Sequence, residues 1–229
     1  MLTVENTTVW LNKFADQIEQ HQSYLSELDT PIGDGDHGGN MARGLAAVKA
    51  ALATQPADIT KLFQATAMAL ISKVGGASGP LYGTAFLEMA KQSKIDSDLG
   101  GLLAAALAGI EKRGGATTGD KTLIDVWAPV VQAVQAGELT QDVIDDAVAS
   151  TEPMVAKKGR ASYLGERSVG HLDPGAVSSG YLQRYWIRRE SYEFRNCSCF
   201  TRPRNCRRYS AFVRASCPGR FDYDCWWYG

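Results

Sequence analysis

One short segment, residues 28–40, carries the side chains of this chain that are best suited to chemistry. It reads Leu-Asp-Thr-Pro-Ile-Gly-Asp-Gly-Asp-His-Gly-Gly-Asn, so Asp29, Asp34, Asp36 and His37 fall within nine residues. Glycine accepts backbone angles that other residues resist, which lets such a segment turn three carboxylates toward one point. Crowded carboxylates repel each other unless a cation lies between them, and hard oxygen ligands suit Mg²⁺ or Ca²⁺. The segment therefore predicts a divalent metal site.

Two other interpretations of this segment are weaker. A solvated acidic turn is the simpler alternative. An EF-hand loop is disfavoured, because the twelfth residue counted from Asp34 is Leu45, where that loop needs a bidentate glutamate. Asn40 opens an apolar repeat at helical spacing, and we expect its side chain to cap the first turn. Metal ligands would then precede a helix N-terminus, whose free amide groups favour phosphate.

Three further segments have a composition that suits a phosphorylated ligand. Residues 75–80 (Gly-Gly-Ala-Ser-Gly-Pro) and 114–121 (Gly-Gly-Ala-Thr-Thr-Gly-Asp-Lys) are glycine-rich, and residues 157–171 are basic. Each has a simpler interpretation, as a flexible connector or a solvated loop, although Lys121 could reach an anion. Together with the carboxylates they indicate a site for Mg²⁺ and a nucleotide, of the kind that transfers phosphoryl groups. No Ser/His/Asp or Cys/His arrangement competes, and we identify no catalytic acid, base or nucleophile. His37 is expected to contact the nucleotide or adjoin the metal, with a core or surface histidine as the alternative.

Charge divides the chain into two segments. Residues 1–182 carry 14 Lys and Arg against 21 Asp and Glu, whereas residues 183–229 carry 10 Arg against 4 acids. The first segment contains no cysteine, and its acidic balance argues against nucleic-acid binding. The chain has no long apolar run and its first residues lack a signal-peptide pattern, so we expect a cytoplasmic protein without membrane contact.

Apolar spacing predicts an all-α fold of about eight helices. Helices are expected over residues 4–28, 40–53, 60–74, 80 onward, 99–113, 122–136 and 140–157, with a last one beginning at the cap pair Asp173-Pro174. Asp98 is expected to cap the fifth of these helices, and residues 158–172 are expected to form a long polar loop. The unusual loops thus lie between helices.

In its motifs and their order the chain resembles the L subunit of dihydroxyacetone kinase. The resemblance covers residues 1–182 and rests on motifs that occur in order: Asp29, Asp34-Gly-Asp36-His37-Gly, Gly75-Gly-Ala-Ser-Gly-Pro80, Gly119-Asp-Lys-Thr122, Asp125-Val-Trp127, Lys158-Gly-Arg-Ala-Ser-Tyr-Leu-Gly-Glu-Arg-Ser168 and Asp173-Pro-Gly175. It implies an antiparallel eight-helix barrel with the nucleotide at one end. It also implies two Mg²⁺ ions held by Asp29, Asp34 and Asp36. The residues implied to line the nucleotide are His37, Gly38, Gly39, Asn40, Ala77, Ser78, Gly114, Leu123, Arg160, Asp173, Pro174 and Gly175.

The family has two versions of its chemistry. In the phosphotransferase-system type, bound ADP accepts phosphate from a phosphohistidine on an M subunit, and the resulting ATP donates it to dihydroxyacetone on a K subunit. In the other type, ATP is an exchangeable substrate and the L-like unit is fused to a K domain. This chain contains no K domain, so the resemblance favours a phosphotransferase subunit of the first type, in glycerol metabolism and as a homodimer. A non-catalytic partner that reports nucleotide state to a regulator is the alternative from a different class.

Residues 183–229 have no counterpart in that family. They hold all five cysteines, three of the five tryptophans and no Lys or Met, and the cysteine spacing lacks a paired Cys-x₂-Cys of a metal module. Codons shifted by one base can be chosen to resemble the start of an M subunit. We therefore interpret this segment as an irregular, disordered tail from a frameshift, which would truncate the last helix of the domain at residues 1–182. A metal module and a basic nucleic-acid tail are the alternatives.

Overall fold

The computed structural model describes residues 2–195, with the side chains of residues 2–187, as helices joined by loops. The helices are α1 (Val4–Gln20), α2 (Gln22–Asp29), α3 (His37–Leu52), α4 (Ile59–Lys73), α5 (Ser78–Gln92), α6 (Leu99–Gly114), α7 (Ile124–Ala136), α8 (Gln141–Ala149), a 3₁₀ helix (Arg160–Ser168) and α9 (Pro174–Arg195). No β-strand occurs within this described range. The prediction of an all-α fold is confirmed.

The first predicted helix is interrupted once. His21 adopts φ −108° and ψ 18°, which separates α1 from α2. The break redirects α2 so that the carbonyl of Gln22 lies against Gly38 at the start of α3. Counting α1 and α2 as one broken helix gives the eight α-helices that the sequence predicts for the described residues.

Two helix ends and one loop differ from the predictions. Helix α5 begins at Ser78, because Pro80 is tolerated in a first turn whose N–H groups have no helical partner. Helix α8 ends at Ala149 rather than near 157, since Pro153 follows and the Ser150 hydroxyl donates to the carbonyl of Ala147 at 2.8 Å. The predicted polar loop 158–172 contains the 3₁₀ helix.

The predicted cap at Asn40 is wrong, whereas two other predicted caps are confirmed. Helix α3 begins three residues earlier, so Asn40 lies inside its first turn. Asp98 accepts a hydrogen bond from the amide of Gly101 at 3.1 Å and caps α6. Asp173 accepts one from Ala176 at 2.7 Å and begins α9.

The helices close into a ring. Along the chain, α3 to α8 each pack beside the next helix, and α1 packs beside α3. Helix α9 closes the gap, because the Trp10 indole of α1 donates to the carbonyl of Leu182 at 2.8 Å while Arg184 pairs with Asp145 of α8 at 2.7 Å. A helical barrel of the predicted kind results.

Aromatic side chains fill the barrel. Trp10 lies 4.7 Å from Trp186 and 6.0 Å from Phe86 between ring centroids. Buried Tyr82 and Trp127 bond to hydroxyl groups of α9, which satisfies their polar atoms in the core. The interior of the barrel is thus filled by side chains. A ligand site must therefore be formed by the loops that join the helices.

The frameshift interpretation of residues 183–229 falls largely outside the described residues. Helix α9 continues to Arg195, and residues 196–229 are not described. Residues Met1–Arg189 form one compact unit. Within the described part of the chain, no helix is both long and apolar enough to cross a membrane.

Candidate functional site

The structure brings the three predicted metal ligands together. Asp29 ends α2, while Asp34 and Asp36 lie in the loop that leads to α3. One carboxylate oxygen from each residue lies within 4.8 Å of the others. Three hard oxygen ligands at this separation fit a divalent cation such as Mg²⁺.

Hydrogen bonds within the loop hold this arrangement. The Asp29 carboxylate accepts from the amides of Asp36 at 3.0 Å and His37 at 3.3 Å. Its carbonyl accepts from the amide of Gly33 at 2.6 Å. A Cβ at Gly33 would collide with the Asp29 carboxylate, and Gly35 adopts φ +73°. These two glycines are therefore required by close approach and by backbone angle, respectively.

Burial and like charges disfavour three anions at this point. Burial raises the pKa of Asp29, and the neighbouring carboxylates of Asp34 and Asp36 raise it further. The two amide hydrogen bonds act in the opposite direction. A divalent cation would relieve this repulsion, which is the electrostatic reason that the cluster suits a metal.

A cavity of about 350 Å³ adjoins the carboxylates. The predicted ligand residues that line it are Asp29, Asp34, Asp36, His37, Asn40, Ala77, Ser78, Gly114, Leu123, Arg160, Asp173, Pro174 and Gly175. The cavity also has an apolar wall that the sequence did not predict, formed by Leu81, Ile110, Ala116 and Ile124. The cavity is thus lined by both carboxylates and apolar side chains, as a site for a phosphorylated organic ligand would be.

Two predicted residues, Gly38 and Gly39, do not line this cavity. A Cβ at Gly38 would collide with the carbonyl of Gln22, so this glycine permits close packing of α3 on α2. At Gly39 the packing is less tight, because an added Cβ would lie 3.8 Å from Nε2 of Gln22, an ordinary contact distance. Their place in the structure is the α2–α3 contact, which sets the distance between Asp29 and Asp36.

Two helices begin at the cavity without a side-chain cap. Neither Asp36 before α3 nor Ala77 before α5 makes a side-chain capping bond. The His37 amide at the start of α3 donates to the Asp29 carboxylate, whereas the amides of Gly38 and Gly39 and the first amides of α5 have no side-chain acceptor among the described residues. Free amides and the positive ends of two helix dipoles favour an anion in the cavity.

His37 links three helices at the edge of the site. Its Nε2 lies 3.0 Å from the Ser178 hydroxyl of α9, and its Nδ1 lies 3.3 Å from the Ser78 hydroxyl of α5. Burial lowers the pKa of His37 to about 4, so the imidazole is neutral near pH 7. The ring packs as a core histidine and also lines the cavity.

Lys121, which the sequence suggested could reach an anion, lines the cavity with its ammonium group bonded to backbone carbonyls. Its Nζ donates to the carbonyls of Thr151 at 2.7 Å, His171 at 2.5 Å and Glu152 at 3.4 Å. The side chain is buried, and burial lowers the pKa of Lys121. Lys121 therefore joins three segments of the chain at the wall of the cavity.

Asp125 shapes the second glycine loop. Its carboxylate accepts from the amides of Gly119 at 2.5 Å and Thr122 at 2.8 Å. The side chain is buried in the first turn of α7. The sequence offered a signal for this role, because an acid placed three to six residues after a glycine turn can bond the amides of that turn.

The basic loop reaches the acidic cluster. Nη2 of Arg160 lies 2.8 Å from Oδ2 of Asp34. Lys158 and Gly159 line the cavity beside it, and Lys157 lies 3.5 Å from Asp120. The loop thus brings positive charge to the mouth of an anionic site.

Asp173 is a fourth aspartate that lines the cavity. Burial raises its pKa to about 7, although the hydrogen bond from the Ala176 amide opposes the shift. The carboxyl group lines the cavity and begins α9, so the site and the closure of the barrel share this residue.

Comparison with known proteins agrees with this geometry. The pattern of the DAK2 domain matches residues 31–187. The chain is 54% identical over 178 residues to PEP-dependent dihydroxyacetone kinase 1, ADP-binding subunit DhaL, of Listeria innocua, which covers 76% of this chain and 90% of that protein. It is 49% identical over 183 residues to the PTS-dependent ADP-binding subunit DhaL of Lactococcus lactis, which covers 80% of this chain and 95% of that protein.

Solved structures share the fold. The dihydroxyacetone kinase of C. freundii in its native form superposes with a TM-score of 0.65 at 22% identity, over 80% of this chain and 34% of that one. The same kinase in complex with AMP-PNP and Mg²⁺ gives a TM-score of 0.66.

The chain belongs to the DAK2 domain family. The predicted resemblance to the L subunit of dihydroxyacetone kinase is confirmed, and with it the class of kinase or phosphotransferase subunit.

Proposed function

We propose that this chain is the ADP-binding subunit of a phosphotransferase-type dihydroxyacetone kinase. The observation that supports it most directly is the convergence of Asp29, Asp34 and Asp36 at one end of a cavity lined by glycine loops. Relatives at 49% and 54% identity are named as ADP-binding subunits of PTS- or PEP-dependent dihydroxyacetone kinases.

In this proposal each side of the cavity binds one part of the ligand. The three aspartates hold Mg²⁺, in the family's count two ions, and the amides at the starts of α3 and α5 orient the phosphates. When bound, the metal neutralises charge on the phosphate oxygens. Arg160 can add positive charge, and the apolar wall excludes water around the base.

The proposal extends to partners. Bound nucleotide would accept phosphate from the phosphohistidine of an M subunit and donate it to dihydroxyacetone on a K subunit, in the cytoplasm. We also propose a homodimer, which sedimentation would test. The alternatives are exchangeable ATP as substrate and a non-catalytic role as a partner that reports nucleotide state.

Replacing a metal ligand tests the site. Asp34→Asn and Asp36→Asn should each weaken Mg²⁺-dependent ADP binding at least about tenfold, because a neutral amide replaces an anionic carboxylate ligand of the cation. Calorimetric titration with ADP in the presence and absence of Mg²⁺ measures this. Asp146→Asn, at an exposed position of α8, is the matched control. Unchanged affinity in the first two variants, with helical content retained, would refute the metal assignment.

Reconstitution distinguishes the functional alternatives. Mixed with active K and M subunits, phosphoenolpyruvate and the upstream phosphocarriers, the chain should support formation of dihydroxyacetone phosphate. Activity that depends on added ATP instead of the M subunit would indicate the ATP-dependent type. Tight ADP binding without any product would favour the nucleotide-sensing role.

A further inference from the structure

Asn40 lies in the first turn of α3 with its side chain at the cavity. The residue is only 7% exposed, and its amide oxygen accepts a hydrogen bond from the guanidinium of Arg43. A guanidinium donates and never accepts, so the oxygen of the amide must be the atom that faces Arg43. The Asn40 NH₂ group is then turned the other way. Among the described residues it has no hydrogen-bond partner, which leaves it as a donor for a ligand.

Arg43 does not line the cavity, but it also bonds to the backbone just before the first glycine loop. Its Nε donates to the carbonyl of Lys73 at 3.0 Å. Lys73 is the last residue of α4 and stands two positions before Gly75, where the first glycine loop begins. One guanidinium therefore connects the Asn40 side chain to the start of that loop.

Gly75 holds the Asn40 amide from the loop side. A Cβ at Gly75 would lie 2.7 Å from Oδ1 and 2.9 Å from Nδ2 of Asn40, closer than real side chains approach. Bare backbone thus packs on the amide group. With the loop on one side and Arg43 on its oxygen, the Asn40 side chain has little freedom to rotate.

We infer that Arg43 is a positioning residue, which fixes the Asn40 amide so that its NH₂ group donates to a phosphate oxygen of the bound nucleotide. The nucleotide itself rests on the function proposed above; the Arg43–Asn40 geometry does not. Arg43 acts on the ligand through Asn40 and does not touch the ligand itself. Without it, the amide would lose its preferred orientation and could present its oxygen to the anion.

A double-mutant cycle tests the inference. Asn40→Ala and Arg43→Met should each weaken binding of ADP with Mg²⁺ about tenfold, the range expected for one lost hydrogen bond to a charged group. Because Arg43 acts through Asn40, the double variant should also lose about tenfold, and not the roughly hundredfold of independent residues. Losses that multiply would overturn the inference.

Lys49→Met provides the matched control. Lys49 lies on the same helix, carries the same charge and pairs with Asp16 at 2.6 Å, away from the cavity. Its loss should leave ADP affinity within about twofold. An equal loss in Lys49→Met and Arg43→Met would show a general charge effect and contradict the positioning role.

A second variant covers the case in which Arg43→Met does not fold. Arg43→Lys keeps the charge but has no planar fork that reaches both acceptors, so it should bind ADP with a loss of about threefold. Full affinity in Arg43→Lys would indicate that charge alone suffices and would overturn the inference.

The ligand-free protein gives a readout that does not depend on the proposed function. The side-chain ¹⁵N and NH₂ chemical shifts of Asn40 should differ from those of a free asparagine side chain in the parent protein, and should move toward the free values in Arg43→Met, where rotation about χ2 is no longer restrained. If the parent protein binds no ADP, the proposed function fails while this measurement still decides the Arg43–Asn40 contact. Identical Asn40 resonances in both proteins would refute it.

Discussion

Tyr82 is the residue on which the hydroxyl network in the middle of the barrel converges. Its hydroxyl lies 2.9 Å from that of Ser178 and 2.8 Å from that of Ser179, and Ser179 also accepts from the Trp127 indole at 3.1 Å. Burial raises the pKa of Tyr82 to about 12, with the hydrogen bonds opposing the shift. The folded protein therefore keeps this proton at pH values where an unfolded chain releases it.

The consequence is a specific sensitivity to alkaline pH. The unfolded chain loses the tyrosine proton near pH 10 and the folded chain near pH 12, so stability falls as pH rises through this window. A difference of two pKa units corresponds to roughly 3 kcal/mol. Tyr82→Phe should be less stable at pH 8, because the serine hydroxyls lose a partner, but should lose less stability between pH 10 and 12. Urea unfolding at several pH values measures both, and parallel curves for the two proteins would contradict the assignment.

At the scale of elements, the loops carry the site and their conformation depends on distant partners. The loop between α6 and α7 is one example, since Lys121 adopts φ +60°, a left-handed angle that a non-glycine residue rarely adopts. Its ammonium group donates to the carbonyl of Thr151, in the turn after α8, and to that of His171, in the segment before α9. Hydrogen bonds to residues 30 and 50 positions away stabilise this unfavourable backbone conformation of Lys121.

Removing the ammonium should loosen these loops. Lys121→Met leaves the carbonyls of Thr151 and His171 without their donor, and the free energy of unfolding should fall by about 1–3 kcal/mol. Urea denaturation measures it, with the exposed Lys94→Met as control. A variant as stable as the parent would show that the buried ammonium does not hold the loops.

At the scale of the whole molecule, α9 closes the barrel, and one residue in it is poorly suited to that position. Gln183 is fully buried, and neither its Oε1 nor its Nε2 has a hydrogen-bond partner within the described chain. A buried amide without partners costs free energy. Gln183 is also the first residue of the segment 183–229, where the predicted resemblance stops; a foreign segment beginning here remains a prediction.

Replacing this amide with an apolar side chain of similar length should stabilise the barrel. Gln183→Met should raise the free energy of unfolding by about 1–2 kcal/mol. For a domain of this size that is a rise in melting temperature of roughly 2–8 °C. Differential scanning calorimetry measures it, with exposed Gln132→Met as control. A lower melting temperature would show that Gln183 makes a favourable contact.

The sequence by itself determined the helices, the loop order and the acidic cluster. Apolar residues three and four positions apart define a buried helix face wherever that face packs, and Asp98 and Asp173 cap helices through amides three residues away. The convergence of Asp29, Asp34 and Asp36 is local too, since they lie within eight residues and glycines permit the turn. These features can be predicted because the residues that determine each of them lie close together in the sequence.

Only the tertiary structure decided where the side chains of the site point. Asn40 was expected to cap a helix but bonds to Arg43, the Lys121 ammonium bonds to backbone carbonyls at the cavity, and Gly38 packs on α2. Asn40 and Arg43 lie three residues apart on α3, so their contact follows once that helix begins at His37. The outcomes for Lys121 and Gly38 depend on neighbours that other elements supply, at a sequence separation of up to 50 residues. Residue spacing along the chain carries no record of such neighbours, because the closure of the ring, and not local geometry, brings them into contact.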